Sequence, residues 1–365
     1  MKIIFHLPFE PDKSRHSASQ IRPFKMIEAF ESNGFEVVVI LGTSSTRKKQ
    51  ITEIKQRIID GEKFDFVYSE SSTMPTMLTD SHHLPTYPFL DFSFFAFLKR
   101  NQIPIGLFYR DIHWKFEHYK INSFKKVVTN IFYKIDLIFY RFLLDVLFLP
   151  STEMGGYIPE LKSLTKISLP PGCDISPIRN IKRSDKKKSV NILYVGGIGD
   201  LYNLQMLLTT LCNLKNKRIQ FTLCTRETDY DKFKDLYQKY FVYENIHLVH
   251  ANGQELTKLY EENDICCLFV KPTEYWNFAM PVKLFEYISY KKPILAVKGT
   301  AVGNYVEEKG IGWVLDYKPD QLELFFYHIL SNNFRDIFHQ NVQRTARGNT
   351  WKSRAASVAN SLINS

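Results

Sequence analysis

Cysteine is scarce. The chain of 365 residues holds five, at Cys173, Cys212, Cys224, Cys266 and Cys267. Their number is odd, their spacing is not that of metal ligands, and three sit in apolar runs that read as buried strands. A disulfide framework and a zinc site are thereby excluded, and reduced core thiols in a cytosolic protein are expected. Long apolar runs are missing too: the most apolar stretch, residues 121–149, is broken by Lys125, Lys126, Lys134, Asp136, Arg141 and Asp145, too many charges for a bilayer span. The opening MKIIFHLPFEPDKSR has no small-residue cleavage site and reads as a first strand, not a leader. No helix-turn-helix, zinc-finger or RNP pattern occurs, the basic residues are scattered, and most aromatics alternate with aliphatics as core residues do, so nucleic acid is excluded as a partner. Glycine and proline, 16 each, are not abundant, and an apolar share of 44% excludes a disordered chain.

What is present is size, positive charge and a regular rhythm. The length exceeds what one hydrophobic core supports, so two domains are expected. A formal charge of +10 favours an anionic partner, either nucleotide phosphates or an acidic membrane surface. The first half alternates apolar runs (KIIFHLPF, FEVVVILG, FDFVYSES, IPIGLFY, DVLFLPS) with helical stretches at 17–33, 47–60, 91–100 and 123–144. LPPGCDISPIRNIKRSDKKKSV has prolines, a basic run and no periodicity, and reads as a surface linker. The second half restarts the rhythm with VNILYVGG, IQFTLCT, IHLVHA, DICCLFV and PILAV. Repeated strand–helix–strand units predict an α/β protein of two doubly wound domains, 1–175 and 176–339, with a helix over 340–365 packing back on the first.

Open parallel sheets bind ligands beyond the carboxyl ends of strands, where glycine turns lead into helices. Gly196, Gly197 and Gly199 follow one such strand, although on their own they also suit any tight strand-to-helix turn. Pro281 suits the first turn of a helix. A helix starting there carries Lys283 and Glu286 three residues apart on one face, at the end where the dipole favours anions. Two readings stand: a surface ion pair, or a phosphate neutralised by Lys283 with Glu286 accepting from ribose hydroxyls. The aromatic loop PTEYWNF, with Tyr275 and Phe278, favours the second because it has something to cover. In the first half, Arg15, His16 and Ser17 precede a helix that Ser17 or Ser19 caps. Arg110, Asp111 and His113 follow a buried strand, at the carboxyl edge of the sheet. The basic, apolar stretch 121–149 is either a core helix with solvated lysines or a helix lying on an anionic membrane, which would put the protein on the inner face of that membrane.

Two doubly wound domains joined by a linker, a glycine turn opening the second, and P-x-K-x-x-E-Y followed by KKPILAV resemble the GT-B glycosyltransferases, specifically the family 4 type common in bacterial capsule, lipopolysaccharide and surface-glycan clusters. IHLVHANGQELTKLYEENDICCLFVKPTEYWNF, GTAVGNYVEEKGIGWVL and GNTWKSRAASV extend the resemblance over nearly the whole chain. The resemblance implies two Rossmann-like domains with a cleft between them and a terminal crossover helix. It implies a UDP-, GDP- or dTDP-sugar donor on the second domain and a glycan or polyprenyl-linked saccharide acceptor on the first. By position it implies that Glu286 holds the ribose, Lys283 lies near the diphosphate, and Gly196, Gly197 and Gly199 let the backbone approach the phosphates. Arg226 and Asn252 would edge the base, Tyr275 and Phe278 would lie at the donor, Arg15 to Ser17 would face the acceptor, and Arg110-Asp111 would take the place of the family's His-Asp pair. Retention of configuration, with neither a metal ion nor a cofactor, is also implied, and no paired-aspartate metal motif is present.

Two departures stand out. Phe278 occupies the position of the first of the family's two glutamates, and Gly196-Gly197 replaces a Gly-Arg, so Arg226 or Lys283 stands in for that arginine or the donor lies differently. A nucleotide-sugar 2-epimerase-like isomerase on the same architecture, and a non-catalytic partner that binds glycan or nucleotide, are the other two readings of the sequence.

Overall fold

The computed structural model describes residues 1–12, 18–116, 123–175, 189–214, 217–331 and 337–364. The chain divides into two units, Met1–Gly172 with Trp351–Ser365, and Cys173–Thr350.

The first unit contains β1 (Lys2–Leu7), α1 (Ala18–Ser32), β2 (Glu36–Leu41), α2 (Ser44–Ile59), β3 (Phe66–Glu70), α3 (Leu90–Arg100), β4 (Ile105–Phe108), α4 (Ser123–Leu143), β5 (Val146–Leu149) and β6 (Thr165–Ser168). All its strands are parallel, in the order β2-β1-β3-β4-β5-β6. β3, β4 and β5 are buried along their whole length, as strands covered on both faces must be, although β3 ends in the polar Ser69 and Glu70. β6 lies at the edge and is half exposed. Its TKIS sequence has no apolar run, which is why five strands and not six are legible in this half.

The second unit contains β7 (Val190–Val195), α5 (Gln205–Asn213), β8 (Ile219–Cys224), α6 (Glu227–Tyr237), β9 (Ile246–Val249), α7 (Gly253–Glu262), β10 (Ile265–Leu268), α8 (Val282–Ser289), β11 (Ile294–Val297), α9 (Ala301–Lys309), β12 (Gly312–Leu315), α10 (Pro319–Ser331) and α11 (His339–Gly348). Its parallel sheet runs β12-β11-β10-β7-β8-β9. β12 is the second strand missed by periodicity, because a glycine opens it and only half of each side chain is covered.

Two expectations change. Residues 340–365 form two helices, not one: α11 belongs to the second unit, and α12 (Trp351–Ile363) packs on α1, β3 and β4 of the first. The break falls at Asn349, whose Nδ2 donates to the carbonyl of Thr345 at 2.7 Å. The start of the expected surface linker is buried: Leu169 and Cys173 are at most 4% exposed. A Cβ on Gly172 would lie 2.7 Å from the Trp351 backbone, and the Cys173 amide donates to the Asn349 carbonyl at 2.8 Å. LPPGC is therefore tied to the chain's last helices by contacts far apart in sequence. The basic remainder of that stretch, 176–188, lies outside the described residues.

Candidate functional site

In the second unit the strand order reverses beside β7: β8 and β9 lie to one side, β10 to β12 to the other. Connections leaving β7 and β10 diverge at such a switch point, and ligands of open parallel sheets sit beyond it. The segments there are Gly196–Leu204, after β7, and Phe269–Pro281, after β10.

α8 places its first turn at this point. Pro281 has extended backbone and supplies no side-chain cap; the Leu284 amide donates to the Pro281 carbonyl at 3.1 Å, so the Val282 and Lys283 amides are the ones left for an anion. Lys283 and Tyr287, one turn apart, face the end of β7. Tyr287 Oη accepts from the Val195 amide at 2.9 Å and donates to its carbonyl at 3.3 Å. Lys283 Nζ donates to Tyr194 Oη at 2.8 Å, and Tyr194 Oη donates to the Gly197 carbonyl at 2.7 Å. Nζ also lies 3.8 Å from the ring centre of Tyr202 and 4.5 Å from that of Tyr194. Gly196, at φ 138°, leaves open the space that Lys283 fills, since a Cβ there would collide with the ammonium.

No ion pair joins Lys283 to Glu286, which removes the first of the two readings of this pair. Burial pushes the Lys283 ammonium down to about 7, with the Glu286 charge acting the other way. A cation surrounded by aromatic faces and a neutral phenol, at a helix N-terminus, is poised to gain an anionic partner. The Glu286 side chain is exposed, yet the packed surroundings hold its carboxyl above the ordinary glutamate value, while Lys283 and the Tyr260 hydroxyl pull it down. Beside it the Tyr260 hydroxyl is buried, its ring stacked on Tyr290 at 4.1 Å.

The aromatic loop is pinned across the switch point. Trp276 Nε1 donates to the Leu201 carbonyl at 2.9 Å, its ring meets Tyr202 edge-on at 5.3 Å, and the Lys271 amide donates to the Asn203 carbonyl at 2.9 Å. Tyr275 is half-buried. Phe278 is 2% exposed and packs at 5.1 Å against Tyr275, so its side chain supports the loop from beneath instead of lining an open surface. Gly199, at φ 124°, makes room for the Phe233 ring, and a Cβ on Gly197 would stand 3.6 Å from Asp229 Oδ2. Arg226 precedes α6 and is exposed, its guanidinium 2.8 Å from Asp229, which places it on the Gly197 side of the site. Asn252 precedes α7, exposed and without a side-chain cap bond.

In the first unit Arg110, Asp111 and His113 do cluster after β4. Asp111 Oδ1 accepts from the amides of Ile112 and His113 at 2.7 and 3.0 Å, and Oδ2 lies 3.8 Å from His113 Nδ1. Burial lowers the His113 pKa against the pull of Asp111. Arg15, His16 and Ser17 lie outside the described residues.

Two buried groups here are assembled by the fold, and of their members the sequence singles out only Arg110. Ser69 Oγ is 2.8 Å from His6 Nδ1, and His6 Nε2 is 2.9 Å from Asp91 Oδ1. All three residues are at most 3% exposed. Arg47 grips both Asp91 oxygens, at 3.0 and 2.9 Å; against burial, the His6 bond and the Arg47 charge hold Asp91 at about 2. The arrangement is thus a brace joining β1, β3, α2 and α3, with no surface at which a nucleophile acts. The second group is Arg22, Glu70 and Arg110, with Glu70 Oε1 3.1 Å from Arg22 Nε and Oε2 3.2 Å from Arg110 Nη2. These residues are spread from 6 to 110 among apolar neighbours, and no local spacing marks them.

Among the described residues no cluster of His, Cys, Asp and Glu is arranged to hold a metal ion, and no helix is long and apolar enough to cross a membrane. Residues 175–347 match the family described as Glycosyl transferases group 1. A search of curated protein sequences finds no match. Among solved structures, the chain is similar to a sucrose-phosphate synthase from Thermosynechococcus elongatus, with a TM-score of 0.66 at 11% identity over 99% of this chain and 98% of that one. It is similar to Anabaena HepE in complex with UDP, with a TM-score of 0.66 at 11% identity over 100% of both chains. It is similar as well to WaaG, a glycosyltransferase involved in lipopolysaccharide biosynthesis, with a TM-score of 0.57 at 16% identity over 100% of both. The family match thus covers residues 175–347, and the chain as a whole has the two-domain GT-B fold of these solved structures.

Proposed function

We propose that this protein is a glycosyltransferase that moves a sugar from a UDP-, GDP- or dTDP-linked donor, held by the second unit, to a hydroxyl of a glycan or polyprenyl-linked saccharide held by the first, in the building of a surface polysaccharide. Configuration is retained, and no metal ion takes part. The observation that carries this reading is Lys283: a half-buried ammonium without a carboxylate partner, at an uncapped helix N-terminus, at the switch point of a parallel sheet. When the anomeric carbon–oxygen bond breaks, charge grows on the departing diphosphate. Lys283 and the first-turn amides of α8 meet that charge with donors already in place. Glu286, one turn on, accepts from the ribose hydroxyls. HepE is solved with UDP, and an E. coli trehalose-6-phosphate protein of similar fold with UDP-2-fluoro glucose, so uridine compounds are the first probes.

The exposed side of α4 supports a peripheral place on an anionic membrane. Val127, Ile131, Ile138 and Phe142 stand 53–65% exposed, with Lys125, Lys134 and Arg141 also exposed among them, and the helix's one acid, Asp136, is buried.

A thermal-shift screen against UDP, GDP, ADP, CMP and dTDP, then turnover of the matching nucleotide sugars, tests the reading. Release of nucleotide that quickens with a saccharide acceptor is expected, with Glu286→Ala weakening the preferred nucleotide at least tenfold. Conversion of donor to an isomeric sugar nucleotide, or no nucleotide binding, overturns it.

A further inference from the structure

Two phenols hold the carboxyl end of β7, and they do different things. Pairing of β10 with β7 stops at Cys266 opposite Leu193, whereas β8 stays paired as far as Cys224 opposite Val195. The Gly196 amide donates to the Cys224 carbonyl at 2.9 Å, so the Val195 amide and carbonyl face the side that β10 has left. The Tyr287 hydroxyl takes both of them, which already fastens α8 to the strand end. A second phenol, Tyr194, is not needed for that fastening. We propose that Tyr194 is a positioning residue of the donor site, its hydroxyl holding the Lys283 ammonium toward the departing diphosphate and the Gly197 carbonyl away from it; this rests on the reading that the second unit binds the donor at Lys283.

Tyr194 is fully buried, and burial raises its pKa far above neutrality, so its hydroxyl is a neutral phenol with a single proton to give. That proton goes to the Gly197 carbonyl at 2.7 Å, which leaves the oxygen lone pairs for Lys283 Nζ at 2.8 Å. Donation therefore runs one way, from ammonium to phenol to carbonyl, and each bond polarises the next. Two consequences bear on an anion. A carbonyl at a half-buried glycine turn repels phosphate, and this one is drawn onto a buried side chain instead. Among the described residues the bond to Tyr194 is also the only hydrogen bond of Nζ, so it alone gives direction to a flexible four-carbon stem. An ammonium has three donors, and one spent on Tyr194 leaves two for a diphosphate. The rings of Tyr194 and Tyr202, 4.5 and 3.8 Å away, favour the charge without using a donor. The other groups that act on Lys283 are Glu286 on its own helix and, on β10, the Cys267 thiol, which burial pushes up to about 12 and so leaves neutral.

The test is isothermal titration of the full chain between pH 5.5 and 8.5 with UDP-glucose, or with the GDP- or dTDP-sugar that the thermal-shift screen prefers. Parent, Tyr194→Phe, Lys283→Met and the double variant are compared. Phenylalanine keeps the ring and removes one hydrogen bond to a charged group, so Lys283 should lose its proton at a pH lower by on the order of one unit. Affinity in Tyr194→Phe should therefore begin to fall at about pH 6, where the parent breaks at about 7, and at pH 8 should be about tenfold weaker than in the parent. On the Lys283→Met background the same change should alter affinity by less than about twofold, since a phenol that acts through the lysine then has nothing to position. A tyrosine that only supports the fold would weaken binding alike on both backgrounds and leave the break where it is. Should Tyr194→Phe be unstable, 3-fluorotyrosine at position 194 keeps the hydroxyl, and its fluorine resonance should show a step at about pH 7 that Lys283→Met abolishes. A parent that binds the sugar nucleotide, with an unmoved break in Tyr194→Phe, additive losses in the double variant, or a fluorine step that survives Lys283→Met, overturns the role of Tyr194 and leaves the proposed function standing. A parent that binds no nucleotide overturns the proposed function and this role with it.

Discussion

Lys283 makes the affinity for a sugar nucleotide depend on pH in a calculable way. In the free protein its ammonium loses a proton at about 7. A bound pyrophosphate diester keeps its charge at every pH between 6 and 8.5, so only the protein titrates. At about 4 Å and an effective dielectric of about 20, one phosphate charge contributes on the order of 4 kcal/mol to the ammonium form. At about 1.4 kcal/mol per pKa unit, that returns the lysine in the complex to roughly its ordinary range, near 10. Binding then takes up about half a proton at pH 7 and nearly a whole one at pH 8.5. Affinity should be level below pH 7 and fall tenfold per unit above it, so binding at pH 8.5 is about 30-fold weaker than at pH 6, about 2 kcal/mol. Isothermal titration of UDP-glucose, or of whichever GDP- or dTDP-sugar the screen prefers, measures this directly, and the observed heat at pH 7 should vary with the ionisation heat of the buffer. Lys283→Met should show the weak high-pH affinity at every pH. A parent profile without slope, or a methionine variant that keeps the slope, refutes the role given to Lys283.

Three further outcomes follow from the packing. Burial pushes Asp136 up to about 8, against the bonds from the Thr76 amide and hydroxyl, so the folded state binds its proton more tightly than the unfolded chain. The stability it contributes is full below about 4 and is lost as pH rises through about 8, with an upper bound of about 6 kcal/mol at about 1.4 kcal/mol per unit; denaturant midpoints of Asp136→Asn should therefore fall less between pH 5 and 9 than those of the parent, and an equal fall argues against a raised pKa. A Cβ on Gly106 would stand 2.6 Å from the Phe148 ring and 2.9 Å from Leu362, so Gly106→Ala should cost about 1–3 kcal/mol by overpacking. Adding Leu362→Ala should then cost less than the sum of the single changes, and strict additivity would count against α12 lying on β4. Cosedimentation with vesicles rich in phosphatidylglycerol should exceed that with neutral vesicles and be lost in Ile131→Glu/Phe142→Glu, whereas equal binding to both lipids removes the membrane from the proposal.

Much of this molecule is legible in the order of its residues. Strands such as VLFL and ICCL lie in the middle of a parallel sheet, covered on both faces, and so are apolar throughout, which makes them visible in any short window. The helix at 282–289 is equally visible, since Pro281 excludes itself from the interior and the apolar spacing behind it is helical. β6 and β12 are not, because an edge strand needs apolar residues on only part of one face. Lys283 could be picked out by its place in the helix, yet the sequence left two partners open to it.

The partners were decided by folding. Lys283 meets Tyr194, 89 positions away, and not Glu286, three positions away, because β7 carries Tyr194 to the switch point. Phe278 reads from its neighbours as a donor contact and is buried in three dimensions, with Tyr275 packed against it. Arg22, Glu70 and Arg110 have no common motif, and only the parallel stacking of β3 beside β4, with α1 laid over them, brings two guanidinium groups to one carboxylate. Periodicity reports which face of an element is buried, because burial acts on each residue separately. Which charges meet there depends on strand order, and strand order is a property of the whole sheet.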